Sequence, residues 1–434
     1  MPPAALLWIL AVLLSVVWIL FGRTVLLAAR QMRMLADLLA AGPREPERSV
    51  PLPSLSVIVT ACNEAAGIEA SVRRLLAQEY PDLQIVVVDD RSTDGTGEIL
   101  DRLAAAAPGA QAGRLSVIHN RSVPAGWLGK CNACRLGAER ARGEWILFSD
   151  GDVELAQPDL LARVVRHAER HGLDHVAVAP DVRPMSGLQS GVMAVFGQLF
   201  LLAARAHEMD RDLPRGGAGV GAFNLMRRAA YERVGGHRLL RMDPADDMKL
   251  GMLLKETGSR QRLYHGAELV RCPWHRGVRN LVRGLEKNFF PGCGYSVVRT
   301  LLVTAGLSAL NFGPPAVALL GTWMGAAGSG SWPRAAGLAV LWLPAALEAF
   351  CLIGGYWVYG RRSGVEPWVV LLHPLSMLIL IIALWNSTLR TLMRGGIVWR
   401  GTFYPLAELR PALVRPGDGR RFLQAHENSM IGAP

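Results

Sequence analysis

The sequence predicts an α/β domain built on a mostly parallel sheet, with apolar helices before it and after it. Three observations carry that prediction. From Leu55 onward, short β-branched runs alternate with segments of helical period. Those runs end in acidic residues rather than in a glycine-rich phosphate loop. Long stretches with few charges stand at the N-terminus and again from Val297.

Leu55–Thr60 (LSVIVT) is a continuous apolar run, the pattern of a strand covered on both faces. Ile68, Val72, Leu75 and Leu76 then fall at helical spacing. Gln84–Val88 is a second strand, Asp94–Leu103 a helix capped by Asp94, and Leu115–His119 a third strand. Lys130–Ala141 reads as a helix, Trp145–Ser149 as a strand, Leu160–His171 as a helix and His175–Ala179 as a strand. Such alternation gives right-handed crossovers, and ligands of these sheets bind beyond the C-terminal strand ends.

Hydrophobic residues make up 51% of the 434 residues and charged ones 19%, too apolar for an ordinary cytosolic enzyme. The net charge of +11 is spread out, with no dense basic run interleaved with aromatics, so nucleic acid is excluded as a partner. An anionic leaflet and a phosphate-rich substrate fit it better. Cys131 and Cys134 form a CxxC with no second ligand pair at zinc spacing, so small residues on one helix face are expected there.

Ala4–Phe21 carries no charge, no basic residue precedes it, and Arg23, Arg30 and Arg33 follow. This is the pattern of an uncleaved anchor with a cytoplasmic domain after it, rather than a signal peptide. Val297–Met324, Ala335–Tyr359 and Pro367–Trp385 are also apolar. The loop residues Arg361 and Arg362 belong inside, so simple alternation sends the C-terminal tail outside. Yet Arg390, Arg394, Arg400, Arg410, Arg415, Arg420 and Arg421 place that tail inside. One stretch is therefore expected to lie in the interface, with Val297–Met324 the candidate because Pro314-Pro315 interrupts it. Gly187–Arg205 fits either a buried helix or one on the membrane surface.

The chemistry lies at the strand ends. Thr60-Ala61-Cys62-Asn63-Glu64 contains no GxGxxG, which excludes the dinucleotide-binding fingerprint. Asp89 and Asp90 are paired carboxylates, costly unless a ligand such as a base or ribose uses them. In Asp150-Gly151-Asp152 the alternate carboxylates point to one side and form a hard-oxygen site for Mg2+ or Mn2+ holding a diphosphate.

The segments SVIVTACNE, VVVDDRSTDGT and GWLGKCNACRLGAERARGEWILFSDGDV, in that order, resemble the family 2 glycosyltransferases of GT-A fold. The layout is similar to that of membrane-anchored bacterial members related to hopanoid-associated and carotenoid glycosyltransferases. The resemblance covers roughly Leu55 to Asn288 and implies a domain over residues 51–295. An anchor (1–22) and a linker (23–50) precede it, and membrane helices (296–388) and a basic tail (389–434) follow. It implies that Asp90 holds the nucleotide base, that Thr60, Ala61 and Glu64 line base and ribose, and that Lys130 approaches the donor. Asp150 would contact ribose or metal, and Asp152 would ligate the metal. Asp246-Asp247-Met248-Lys249-Leu250 resembles the family's Glu-Asp-x-x-Leu segment, which makes Asp247 the general base with Asp246 beside the donor. The Gly216–Gly221 run, Gly217 included, would pass close to the donor sugar. The Gln-x-x-Arg-Trp segment of processive synthases is absent, and Arg283 or Lys287 would face either a diphosphate or lipid headgroups.

The resemblance thus implies an inverting transferase at the inner membrane. It would use Mg2+ or Mn2+ and a nucleotide-sugar donor, a UDP-sugar first among them. Its acceptor would be a membrane lipid or lipid-linked molecule at the cytoplasmic face. The alternatives are a processive polysaccharide synthase and a catalytically silent scaffold.

Overall fold

The structure is a computed structural model, and it describes residues 3–40, 51–106, 113–182, 184–273, 277–326 and 335–431. The chain forms two compact units. One unites Gln31–Arg183, Ala204–Trp274 and Thr391–Pro434, and the other holds Met1–Arg30, Pro184–Ala203 and His275–Arg390.

The first unit is built on an eight-stranded sheet. Its strands are β1 (Arg33–Met34), β2 (Leu55–Ala61), β3 (Leu83–Asp90), β4 (Leu115–Asn120) and β5 (Trp145–Asp150). A short β6 (Glu154–Leu155) follows outside the sheet, then β7 (His175–Ala179), β8 (Asn224–Arg227) and β9 (Gln261–His265). The order is β1-β9-β7-β8-β5-β2-β3-β4. Every pairing is parallel except those of β8, which runs antiparallel between β5 and β7. β2 and β3 are buried along their whole length, which is why they read as unbroken apolar runs. Helices Ile68–Leu76 and Leu160–Arg170 put Val72, Leu75, Leu161 and Val165 into the core on one face of the sheet. β10 (Val270–Arg271) pairs with β6.

The expected strands and helices recur within a few residues of their sequence-derived bounds. The helix after β3 starts at Thr96 rather than Asp94, because Asp94 Oδ1 accepts the Thr96 N–H at 3.1 Å and so precedes the helix as its cap. The expected linker is structured in part. The N-terminal helix runs Pro3–Gln31, β1 follows, and helix Leu35–Ala40 packs Leu35 and Leu39 into the core. Residues 41–50 lie outside the described residues. The basic tail is also built into this unit. β11 (Gly396–Trp399) and β12 (Thr402–Pro405) form a hairpin. Beyond it, Glu256 of helix Asp246–Glu256 accepts the Gly417 and Gly419 N–H groups at 2.7 and 3.1 Å.

The second unit holds four helical stretches long and apolar enough to cross a membrane: Ala5–Ala28, Val297–Met324, Gly337–Val358 and Pro367–Arg394. Pro314-Pro315 does not interrupt the helix Val297–Ala326, contrary to the sequence expectation. Pro314 frees the carbonyl of Leu310, and the Trp18 indole donates to that carbonyl at 3.0 Å. A neighbouring helix thus satisfies the group that proline orphans. Gly187–Ala203 forms a shorter apolar helix with its residues Gln189–Val195 buried. Arg283, in helix Val278–Leu285, and Lys287 belong to this unit.

Candidate active site

The C-terminal ends of β2 and β5 meet the first turns of two helices, Gly129–Arg140 and Asp246–Glu256. Thr60 is the register partner of Asp150 across β2 and β5. Thr60, Lys130, Asp150, Gly221, Asp246 and Asp247 line one cavity there. Lys130 Nζ donates to Asp150 Oδ1 at 2.7 Å. Asp247 Oδ2 accepts the Gly221 N–H at 2.7 Å, and its Oδ1 accepts the Met248 N–H at 2.7 Å. The first turn of a helix favours such anions. A Cβ added to Gly221 would lie 2.8 Å from Asp150 Oδ2, 2.9 Å from Asp247 Oδ2 and 3.2 Å from Lys130 Nζ. The three functional groups therefore converge on a point that only glycine leaves open.

Three carboxylates surround one ammonium. Burial opposes the charge on Lys130, but Asp150, Asp246 and Asp247 outweigh it and hold the ammonium well above its ordinary value. Burial raises the Asp247 carboxyl, Asp246 and Asp150 add to the rise, and Lys130 opposes it. Asp152 follows the same rule: burial raises it and the Asp150 charge adds. Glu64 is raised by burial, against Arg400, with Asp152 and Asp150 adding. Its Cγ lies 3.4 Å from where a Gly151 Cβ would stand, and Ala61 Cβ is equally close. Asp150, Asp152 and Glu64 thus share one field that a cation would relieve.

The glycine run divides. Gly221 faces the cavity, whereas a Cβ on Gly217 would meet Lys255 Cβ at 2.7 Å, Gln261 Oε1 at 2.8 Å and the Gly251 carbonyl at 2.9 Å. Gly217 is therefore a packing position against helix Asp246–Glu256 and β9, not a lining residue. Asp90 is also engaged within the protein. It receives Arg91 at 3.1 and 2.8 Å and the Asn120 amide at 2.7 Å. Asp89 binds His119 Nδ1 at 3.0 Å, and its other oxygen is buried without a partner.

Sequence reading missed two groups. The first is Cys134 and His237, which with Asp246 place their ligand atoms within 4.8 Å of one another, all buried. Tyr231 Oη lies 2.8 Å from His237 Nδ1, and burial lowers the imidazole to about 3, so it stays neutral. The second group is the β11–β12 hairpin. Arg400 Nη2 lies 3.2 Å from Glu64 Oε1, Arg91 Nη1 donates to Thr402 Oγ1 at 2.6 Å, and the Gly129 N–H donates to Tyr404 Oη at 3.1 Å. Arg400 and Gly401 both have positive φ (49° and 79°), as a two-residue hairpin turn of the primed type requires. Asn63 and Arg91 are left-handed too, at φ 58° and 60°. Three of the six non-glycine left-handed residues among those described thus gather at one set of strand ends, where strained backbone marks function.

The family model for glycosyl transferase family 2 matches residues 56–235. The chain carries a family 2 glycosyltransferase domain. Its sheet is of GT-A type, and the matched segment contributes Thr60, Lys130, Asp150 and Gly221 to the cavity. The glycosyltransferase domain has similar relatives in several bacteria. The 4,4'-diaponeurosporenoate glycosyltransferase of Staphylococcus haemolyticus is 22% identical over 240 residues, covering 55% of this chain and 62% of that one. The beta-monoglucosyldiacylglycerol synthase of Synechocystis sp. is 29% identical over 224 residues, 51% of this chain and 44% of that one. The succinoglycan biosynthesis protein ExoO of Rhizobium meliloti is 32% identical over 136 residues, 31% of this chain and 36% of that one. The chain spans less than two thirds of the length of each of these relatives.

Proposed function

We propose that the chain is an inverting glycosyltransferase that moves a sugar from a nucleotide-sugar donor, a UDP-sugar in the first instance, to a membrane lipid or lipid-linked acceptor at the cytoplasmic face. The observation that carries this reading is the convergence of Asp247 with Lys130 and Asp150 on Gly221, the last three lying within the matched residues 56–235. Asp247 is the base. It takes the proton of the acceptor hydroxyl as that oxygen bonds to the anomeric carbon. The bond from that carbon to the phosphate oxygen breaks on the opposite face, and its electron pair leaves with the nucleoside diphosphate. Attack opposite the leaving group inverts the anomeric centre. Because Met248 and Gly221 N–H groups fix both oxygens of Asp247, the carboxylate is oriented before the acceptor arrives.

The carboxylates at the end of β5 suit Mg2+ or Mn2+. They are hard oxygen donors, and Asp152, raised first by burial and then by the charge of Asp150, would be relieved by a bound cation. Asp150 and Asp152 would hold the ion, which when bound neutralises the leaving diphosphate and removes the need for a general acid. Lys130 adds a fixed positive charge at Asp150 on the same side.

A donor screen with detergent-purified protein tests this reading. Metal-dependent binding of one nucleotide sugar is expected, and Asp152→Ala is expected to abolish the metal dependence. No binding of any UDP-, GDP- or dTDP-sugar with either metal would favour a catalytically silent scaffold instead. Arg400 offers a second check. It brings a guanidinium to Glu64 through an ion pair of the kind worth about 1 kcal/mol or less. Arg400→Ala is therefore expected to leave thermal stability within a degree or two and to raise the donor KM about tenfold by removing the cation beside Glu64. An unchanged KM would remove Arg400 from the donor site.

A lipid acceptor accords with the four apolar helices. Residues on both sides of Pro184–Ala203, and on both sides of His275–Arg390, belong to the same compact unit. A folded α/β unit cannot straddle a bilayer, so the chain must cross an even number of times between residues 273 and 391. Gly187–Ala203 then enters and returns without crossing. Of the three later helices, two cross. An even count accords with the arginine-rich tail lying on the same side as the domain.

A further inference from the structure

The sheet has a second cavity, at the edge formed by β1 and β9 and separate from the residues of the candidate active site. It has a volume of about 210 Å³ and is lined by Arg33, Arg260, Arg262, His167, His171 and Asp210, with Gln31 at its margin. β1 pairs Arg33 with Tyr264 of β9, which fixes the guanidinium's backbone against that edge. We propose that this cavity binds the phosphate of an anionic membrane lipid whose headgroup carries a hydroxyl.

Four observations support it. First, the guanidinium groups outnumber their partners. Arg262 Nε lies 3.4 Å from Asp210 and Arg260 Nε 3.7 Å from Asp212, both long for an ion pair. Among the described residues Arg33 has no ion pair. Three guanidiniums thus share two carboxylates, although Arg262 also reaches Asp212 at 4.0 Å and donates to the Gln261 carbonyl at 2.8 Å. Second, the lining holds more basic than acidic groups, Arg33, Arg260 and Arg262 against Asp210. Burial lowers His167 to about 4, and the charges of His171, Arg170 and Arg33 press it the same way. Third, Gln31 Oε1 is buried without a partner, an acceptor in want of a donor such as a headgroup hydroxyl. Fourth, Gln31 ends the helix whose Ala5–Ala28 stretch is long and apolar enough to cross a membrane. Three residues of helix rise about 5 Å, so Gln31 stands within one turn of the end of that stretch, within reach of a lipid headgroup if the stretch spans. A phosphodiester would meet Arg33, Arg260 and Arg262 in the fork geometry that guanidinium groups present to phosphate.

The test uses the full chain in a neutral detergent and measures lipid binding by native mass spectrometry. Phosphatidylglycerol is expected to bind about tenfold more tightly than phosphatidylcholine, as one to two basic contacts would give. That preference is expected to vanish in the double variant Arg33→Gln, Arg260→Gln. Both arginines are exposed, so the fold is expected to survive, and the unliganded melting temperature of the variant checks that it does. Arg33→Lys, Arg260→Lys should restore most of the preference, since it keeps the charge. Glycerol phosphate forms a third arm. Should it bind the wild-type chain as tightly as phosphatidylglycerol, with the same loss in the double variant, the cavity takes a soluble phosphate ester and the lipid assignment fails. A phosphatidylglycerol preference that persists in a folded double variant would overturn the site altogether.

Discussion

Asp247→Asn is expected to lower turnover about 10²–10⁴-fold, the usual contribution of a positioned general base, while donor binding changes little. The amide keeps the shape of the carboxylate and its one oxygen can still accept the Gly221 N–H; the Met248 N–H loses its acceptor, so the melting temperature checks that the first turn of helix Asp246–Glu256 stays in place. What it loses is the capacity to take a proton. The pH profile gives a second, independent readout. Burial raises the Asp247 carboxyl above the ordinary aspartate range, and Asp246 and Asp150 raise it further. The base works only when ionised, so activity should fall as pH drops through this raised value. The acid limb should therefore lie above pH ~4, where an exposed aspartate would put it. Lys130 opposes the rise, so Lys130→Met should move the acid limb to still higher pH while it weakens the donor site. Near-normal turnover in Asp247→Asn, or an acid limb that moves down in Lys130→Met, would sink the assignment.

The parts of this fold that were legible are those where local pattern and burial agree. β2, β3 and β5 are covered on both faces, so each appears as an unbroken apolar run, and the acidic residues that follow fall at the strand ends where such sheets bind ligands. β8 was not legible. It is four residues long, follows a glycine run, and owes its place to pairing with β5 and β7 rather than to propensity. The role of Arg400 was hidden for a different reason. Its partner Glu64 is 336 residues away, and an Arg-Gly turn lacks the Asn-Gly or Asp-Gly signature of a tight hairpin. The β-branched and aromatic runs around it, Ile397-Val398-Trp399 before and Phe403-Tyr404 after, were the available signal. Pro314-Pro315 misled because the rule that proline breaks helices assumes that the orphaned carbonyl has no other donor, and here Trp18 supplies one. For Asp90, nothing in a sequence shows that its neighbour Arg91 folds back onto it.

The glycine run provides the sharpest separation between catalysis and stability. Gly217→Ala and Gly221→Ala each add one methyl group, four residues apart, and opposite outcomes are expected. At Gly217 the new Cβ meets Lys255 Cβ at 2.7 Å and the Gly251 carbonyl at 2.9 Å, and backbone in a packed helix cannot step aside cheaply. Overpacking of that kind costs about 1–3 kcal/mol, which for a unit of this size lowers the melting temperature by several degrees. The cavity groups are not touched, so the folded fraction should keep most of its turnover. At Gly221 the nearest atoms are side-chain ends, Asp150 Oδ2 at 2.8 Å and Asp247 Oδ2 at 2.9 Å. These can rotate away, so the melting temperature should hold. Yet these are the oxygens that must meet the donor and the acceptor proton, and a displacement of about 1 Å at a reacting group costs roughly 10²-fold in rate. Gly221→Ala is therefore expected to melt like the parent and turn over about a hundredfold more slowly. Turnover at fixed donor saturation and calorimetric melting, measured on the two variants side by side, decide the matter. If Gly221→Ala lost stability and kept its rate, the convergence of Asp150, Asp247 and Lys130 would be a packing arrangement and not a catalytic one.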